Sequence, residues 1–321
     1  MKKIVISTGG GDAPGLNAVI YSVVHTCYRK GWEVYGSKSG YAGFLDFDEM
    51  IRLTLKDVEG IYSTGGTILG STNKGNPFRR PVENLAGEIQ IVDISDKILR
   101  NFERMGFDCH IAIGGDGSLE IAHRFAEKGM PVIGVPKTID NDLEMTNRTF
   151  GFDTAVSTAT DALDKLHSTA KSHDRVLVVE VMGRDSGWIA LYSGISGGAD
   201  VILIPEIPFD MEEVCNKITD NELHDKHYSI VVVAEGAITK DGKVFNKGQG
   251  RLDGTRLFSV VWVNGLPLKS ANELKKIHVP WSWDICSGVG PLRHLIVCLH
   301  SVLVLLQFVL LRRRFSIIWL L

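Results

Sequence analysis

The sequence predicts an α/β fold made of two doubly wound, Rossmann-like parallel-sheet domains, and three observations carry that expectation. Short β-branched runs alternate with helix-length amphipathic stretches as far as Ala234, the pattern of parallel strands joined by crossover helices. Three of the runs end in tight Gly- or Asp-rich turns, at Gly9–Gly15, Gly114–Ser118 and Pro136–Asp142, and ligands of this class bind beyond the carboxyl ends of parallel strands. At 321 residues the chain exceeds an ordinary single domain. Two fused α/β domains are therefore expected, at 1–150 and 151–257, followed by a stretch of different character at 258–321.

In chain order, Lys3–Thr8 is a β-rich run that feeds Gly9-Gly10-Gly11-Asp12-Ala13-Pro14-Gly15 and then a helical pattern over Leu16–Arg29. Strand, glycine turn and helix make a phosphate-cradle layout. Glycines let backbone N–H groups approach an anion, and the helix start adds its positive end. Trp32–Ser37 reads as a strand. Tyr62–Arg80 reads as a long polar loop holding Gly65-Gly66-Thr67 and Gly70-Ser71, with Lys74, Arg79 and Arg80 as cations within reach of a phosphate. Ser95–Arg104 is a helix and Cys109–Ile113 a strand. The second glycine turn precedes a helix over Leu119–Lys128. There Asp116 either caps the helix or holds a metal carried by phosphates.

Met130–Val135 reads as a buried strand that runs into Pro136-Lys137-Thr138-Ile139-Asp140-Asn141-Asp142. An acid, a hydroxyl and a cation stand together in that stretch. Phosphoryl transfer needs such a set, because its catalysis is mostly positioning and charge neutralisation. Beyond it come a helix over Phe152–Ala170, a strand over Arg175–Val181 and the turn Met182-Gly183-Arg184-Asp185-Ser186-Gly187, which opens a helix to Ile195. Arg184 suits bidentate recognition of phosphate. A strand over Asp200–Ile204 ends in Pro205-Glu206. A helix over Met211–Leu223 and a strand over Tyr228–Ala234, ending in Glu235-Gly236, complete the series.

Composition narrows the function class. A formal net charge of −3 argues against bulk binding of nucleic acid. Cys27, Cys109, Cys215, Cys286 and Cys298 have no metal-ligand spacing and form no disulfide framework, as expected of free thiols in a reducing, cytoplasmic setting.

Taken together, Gly9–Gly15, Gly65–Ser71, Gly114–Ser118, Pro136–Asp142, Met182–Gly187, Pro205-Glu206 and Glu235-Gly236 resemble the phosphofructokinase family in order and spacing along the first 257 residues. Lipid and NAD kinases share the glycine-aspartate-glycine turn but lack the runs at Thr138–Asp142 and Met182–Arg184. The resemblance implies a kinase of glycolysis that moves the γ-phosphoryl of ATP to the 1-hydroxyl of fructose 6-phosphate, giving fructose 1,6-bisphosphate. It implies Asp140 as general base, with Thr138 and Arg184 completing the catalytic set. It implies Asp116 as the Mg2+ ligand and Gly11, Gly115, Gly117 and Ser118 as the nucleotide site. Met182, Gly183 and Glu235 would contact the sugar phosphate together with Thr138, Asp140 and Arg184, and Arg175 would reach a neighbouring subunit's sugar site. A homo-oligomer follows, a tetramer or a dimer, commonly with effector sites between subunits. On the donor the pattern is mixed. Gly117 resembles ATP users, where a side chain would crowd the α-phosphate. Lys137 resembles many pyrophosphate users, and Asn73 stands where many ATP users carry arginine. ATP is the expected donor, with pyrophosphate as the alternative.

The stretch from about Phe258 departs from this pattern. Residues 1–258 carry 28 basic and 36 acidic side chains, whereas the remainder carries seven Lys/Arg, only Glu273 and Asp284 as acids, and four of the six Trp. Leu295–Leu321 is mostly apolar, which on its own reads as a membrane anchor. Yet codons can be chosen for Trp283–Val304 that, read one base out of register, give Gly-His-Leu-Gln-Arg-Gly-Gly-Ser-Pro, the sugar-phosphate segment that the resemblance leads one to expect. Codons for Ser259–Gly265 likewise allow Gly-Gly-Leu-Gly-Glu-Trp. The expectation is a frame-shifted tail rather than a membrane segment. The further alternative is a catalytically impaired product that lacks the sugar-phosphate groups.

Overall fold

The computed structural model describes residues 1–72, 75–83 and 87–242. The tail from Phe258, with Asn73 and Lys74, lies outside them. The chain divides into two compact units, Met1–Gly151 and a second beginning at Phe152.

The first unit contains β1 (Lys3–Thr8), α1 (Leu16–Arg29), β2 (Glu33–Ser37), β3 (Met50–Leu53), β4 (Arg80–Glu83), β5 (Ile89–Val92), α2 (Ser95–Arg104), β6 (Cys109–Gly114), α3 (Asp116–Glu127), β7 (Val132–Thr138) and β8 (Phe150–Gly151). Its main sheet has the order β3-β2-β1-β6-β7-β8. All its pairings are parallel except that of β2 with β3. Alternate residues of β1 point to opposite faces. Ile4 and Ile6 pack with Leu16, Val19, Ile20 and Val24 of α1. Val5 faces Phe44, Phe102, Phe107 and Phe125. The sheet is therefore covered on both faces, the arrangement that parallel strands require.

The second unit contains α4 (Phe152–Ser172), β9 (Val176–Val181), α5 (Trp188–Ser196), β10 (Val201–Leu203), α6 (Met211–Leu223) and β11 (Ser229–Ala234). Its sheet, β10-β11-β9, is parallel throughout. Val176, Val178, Val231 and Val233 pack with Phe209 and Val214.

Four local expectations change. The first sheet is not wholly parallel, because β3 adds an antiparallel edge. The polar loop drawn to Arg80 gives way there to a separate hairpin of β4 and β5. The helix expected from Leu119 begins at Asp116. The strand expected over Met130–Val135 is shifted to Val132–Thr138, because Lys137 and Thr138 pair with Phe150 and Gly151. Pro136 is tolerated there because β8 begins opposite Lys137, beyond the point where proline's missing N–H would interrupt a second ladder. This strand is also less buried than its composition predicts, with Ile133 56% exposed.

Beneath the glycine turns, His110 of β6 is fully buried against Tyr41 and Phe44. Its Nε2 lies 2.8 Å from Ser7 Oγ, and its Nδ1 meets no partner among the described residues. Burial pushes the imidazole down from its ordinary value to about 3. The unfolded chain, with a histidine near 6.5, binds a proton below that pH that the folded chain refuses. Stability contributed by the neutral ring is complete above pH 6.5 and is lost progressively as pH falls toward 3. Between pH 6.5 and 5 the expected loss is about 2 kcal/mol, from 1.36 kcal/mol per pH unit. Urea midpoints across this range test it, and His110→Gln should flatten the slope.

Candidate active site

Three turns meet because their strands are neighbours. β1, β6 and β7 lie side by side and point the same way, so Gly9–Gly15, Gly115–Ser118 and Ile139–Asp142 emerge at one edge of the sheet. The Gly9 N–H donates to Ile113 O at 2.9 Å, tying the first turn to the second strand. Lys137 Nζ donates to Gly11 O at 2.6 Å, tying the third strand to the first turn. Lys137 is buried, and burial pushes its ammonium below the ordinary lysine value against the opposing pull of Asp12 and Asp140.

The glycines here separate into two kinds. At Gly9 an added Cβ would stand 2.5 Å from Ser118 Oγ, and at Gly114 it would run into Ser118 Cβ, so the fold itself needs both small. At Gly11 and Gly117 a Cβ would meet nothing within 4 Å among the described residues, the adjoining chain aside, and neither has a left-handed backbone. Gly117 even sits in the first turn of α3, where glycine costs about 1 kcal/mol relative to alanine. Packing asks for neither glycine, whereas a ligand approaching the backbone would.

Asp116 does not cap α3. Gly115 holds the N-cap position with no side-chain cap bond, and Asp116 is the first helical residue. Its carboxylate is exposed. No group of three His, Cys, Asp or Glu suited to a metal occurs among the described residues. A cation at Asp116 would therefore have to share its coordination with ligand phosphates, as Mg2+ commonly does.

Asp140 is 8% exposed. Its N–H donates to Thr138 Oγ1 at 3.1 Å, the one bond that hydroxyl makes among the described residues, so the Thr138 proton remains to be donated elsewhere. The adjoining Asn141 has a left-handed backbone, φ 53, which asparagine adopts more readily than most residues.

In the second unit the turn after β9 is braced by two carboxylates. Glu235 Oε1 accepts from the Arg184 N–H at 2.7 Å, and Glu206 Oε1 accepts from the Gly187 N–H at 2.9 Å. Gly183 has φ 151, and its Cβ would collide with Ser186 O, so this turn admits no side chain there. Arg184 is exposed and its guanidinium makes no ion pair among the described residues. Glu235, expected as a sugar-phosphate contact, thus has one oxygen committed to the turn. Arg175 precedes the opposite end of β9 from Met182 and Gly183.

Two residues absent from the sequence reading stand out. Asn17 of α1 is 3% exposed. Its Nδ2 reaches Thr64 Oγ1 at 2.9 Å and Gly65 O at 3.2 Å, and its Oδ1 accepts from the Ile68 N–H at 2.9 Å. It clamps the Gly65–Ser71 segment beside the first turn. Thr149 does the same for the Asp140 loop, as described below.

Comparison with known proteins places the chain. The family model described as Phosphofructokinase matches residues 3–277. The chain is 54% identical over 245 residues to ATP-dependent 6-phosphofructokinase 2 of Clostridium perfringens, covering 76% of this chain and 67% of that one. It is 50% identical over 253 residues to ATP-dependent 6-phosphofructokinase of Chloroflexus aurantiacus, covering 79% and 70%. Among solved structures, phosphofructokinase from Saccharomyces cerevisiae matches at a TM-score of 0.63 with 30% identity, over 75% of this chain and 34% of that one. The pyrophosphate-dependent phosphofructokinase from Marinobacter aquaeolei matches at 0.61 with 26% identity, over 75% and 62%. With its turns, its sheet order and these relatives in agreement, the chain belongs to the phosphofructokinase family.

Proposed function

We propose that the protein transfers the γ-phosphoryl group of ATP to the 1-hydroxyl of fructose 6-phosphate. The observation that carries this reading is the meeting of three turns at one sheet edge, with Asp140 beside Thr138 and two glycines that packing does not require. Relatives named as ATP-dependent enzymes, at 45–54% identity, support the donor. Lys137, the feature that favours pyrophosphate, is already engaged in holding Gly11.

In this reading Gly11, Gly115, Gly117 and Ser118 receive the nucleotide, whose phosphates approach exposed backbone N–H groups at the start of α3. Asp140 accepts the proton of the attacking hydroxyl. Thr138 donates its hydroxyl hydrogen to the moving phosphoryl group, and Arg184 offsets its charge. Mg2+ bound with the nucleotide would neutralise phosphate charge, and Asp116 is the residue to hold it. Met182, Gly183, Glu235 and Arg184 receive the sugar phosphate.

Arg175 is the exception that points to a homo-oligomer. It lies about 20 Å from Met182 along the six residues of β9, so one ligand does not meet both ends. A second copy of the chain is the reading, as a dimer or tetramer in the cytoplasm. No helix among the described residues is long and apolar enough to cross a membrane.

A coupled assay with fructose 6-phosphate tests the donor. ATP should support turnover and pyrophosphate should not. The reverse order, or no transfer from either donor, would overturn the assignment.

A further inference from the structure

We propose that Asn141 and Thr149 form a clamp that fixes the direction of the Asp140 carboxylate, making both of them positioning residues for phosphoryl transfer. The inference rests on the reading of Asp140 as the base.

The segment from Ile139 to Arg148 is a loop whose two ends are joined. Lys137 and Thr138 pair with Phe150 and Gly151 at its base. Thr149, 4% exposed, then ties it a second time. The Thr149 hydroxyl donates to Thr138 O at 2.8 Å and also lies 3.3 Å from Asn141 Oδ1. The Thr149 N–H donates to the same Asn141 Oδ1 at 2.9 Å. The Asn141 amide reaches Asn147 O at 3.4 Å. Asp140 thus sits between two residues, Thr138 and Asn141, that both bond to Thr149.

Each part has a physical reason. Asn141 needs the left-handed conformation to turn the chain sharply after Asp140, and its side chain offers the acceptor that keeps it there. Thr149 is buried, so its hydroxyl and N–H need partners and find them only if the loop keeps this path. The tip of the loop carries no such demand, and Met145 is fully exposed. The clamp therefore defines the part of the loop next to Thr138. Alignment of a general base within a fraction of an ångström matters far more to turnover than to nucleotide affinity.

The test uses the full chain and three substitutions. Thr149→Val keeps the shape and removes the hydroxyl, and Thr149→Ser keeps the hydroxyl. Asn141→Gly removes the acceptor while tolerating the left-handed backbone. Thr149→Val and Asn141→Gly should lower kcat by roughly tenfold to a hundredfold with the KM for ATP nearly unchanged. Thr149→Ser should recover most of the loss. Amide hydrogen exchange over 139–149 should rise by about tenfold in the first two variants and not in the third. That readout needs no turnover, so it also decides the matter in a chain that transfers no phosphoryl group. Wild-type kcat and wild-type exchange in Thr149→Val and Asn141→Gly would overturn the clamp. So would a Thr149→Ser variant as impaired as Thr149→Val. Full activity of Asp140→Asn would instead overturn the assignment of the base, a separate result.

Discussion

Asp140→Asn is expected to lower kcat for ATP-dependent transfer by about 10²–10⁴-fold, the contribution of a positioned general base. The amide has nearly the carboxylate's shape, so the site is perturbed chemically more than sterically. The loop should survive, because the bond to Thr138 Oγ1 comes from the backbone N–H of residue 140 and Thr149 binds its neighbours instead. The KM for ATP should stay close to the wild-type value, since the glycine turns after β1 and β6 are untouched. A coupled assay with a parallel thermal melt checks both halves of the expectation. Activity within tenfold of wild type would remove Asp140 from the role of base.

Gly117→Asp is the second large effect, and it separates affinity from stability. A Cβ at this position meets nothing within 4 Å among the described residues, its own helical turn aside. An acidic residue in the first turn of α3 is favoured by the helix dipole, and replacing glycine there relieves a propensity cost. The folded protein should therefore melt at the same temperature or higher. A carboxylate set against a nucleotide phosphate costs several kcal/mol, however, so the KM for ATP should rise by about 10²-fold, near 3 kcal/mol. Pyrophosphate, which has no nucleoside and no α-phosphate, should suffer less, and the ratio of its rate to that of ATP should increase. An unchanged KM for ATP would mean that nothing binds against residue 117.

The fold was legible where a local pattern and a long-range partner agree. β1, its glycine turn and α1 are one continuous signal, and the structure keeps their bounds as read. α2 and α6 are equally clear, because apolar spacing and length both favour a helix. β3 was missed because Met50-Ile51-Arg52-Leu53 is short and becomes a strand only through pairing with β2. The hairpin of β4 and β5 was hidden by polar residues and by Pro81, which reads as a break. The site shows the same division. Asp140, Thr138 and Asp116 stand in motifs and announce themselves. Asn17 and Thr149 are single polar residues whose meaning depends on being buried. Asn17 bonds to residues 47 to 51 positions away. The signal available for Asn17 was a polar residue on the apolar side of an otherwise amphipathic helix. Thr149 had none. The frame-shift reading falls on residues outside those described, and sequencing the gene across codons 256–260 addresses it directly.

The length of β9 has a consequence for mixtures. Arg175 precedes β9 and Arg184 lies in the turn beyond its other end, so in the proposed oligomer each ligand site would borrow its Arg175 from another chain. A population of Arg175→Ala subunits and a population of Arg184→Ala subunits would each be defective alone. Dissociated and reassociated together, they would form hybrids in which some sites draw both arginines from intact sources. Activity recovered on mixing would then count shared sites, and dilution below the dissociation constant of the assembly would extinguish it without unfolding a single chain.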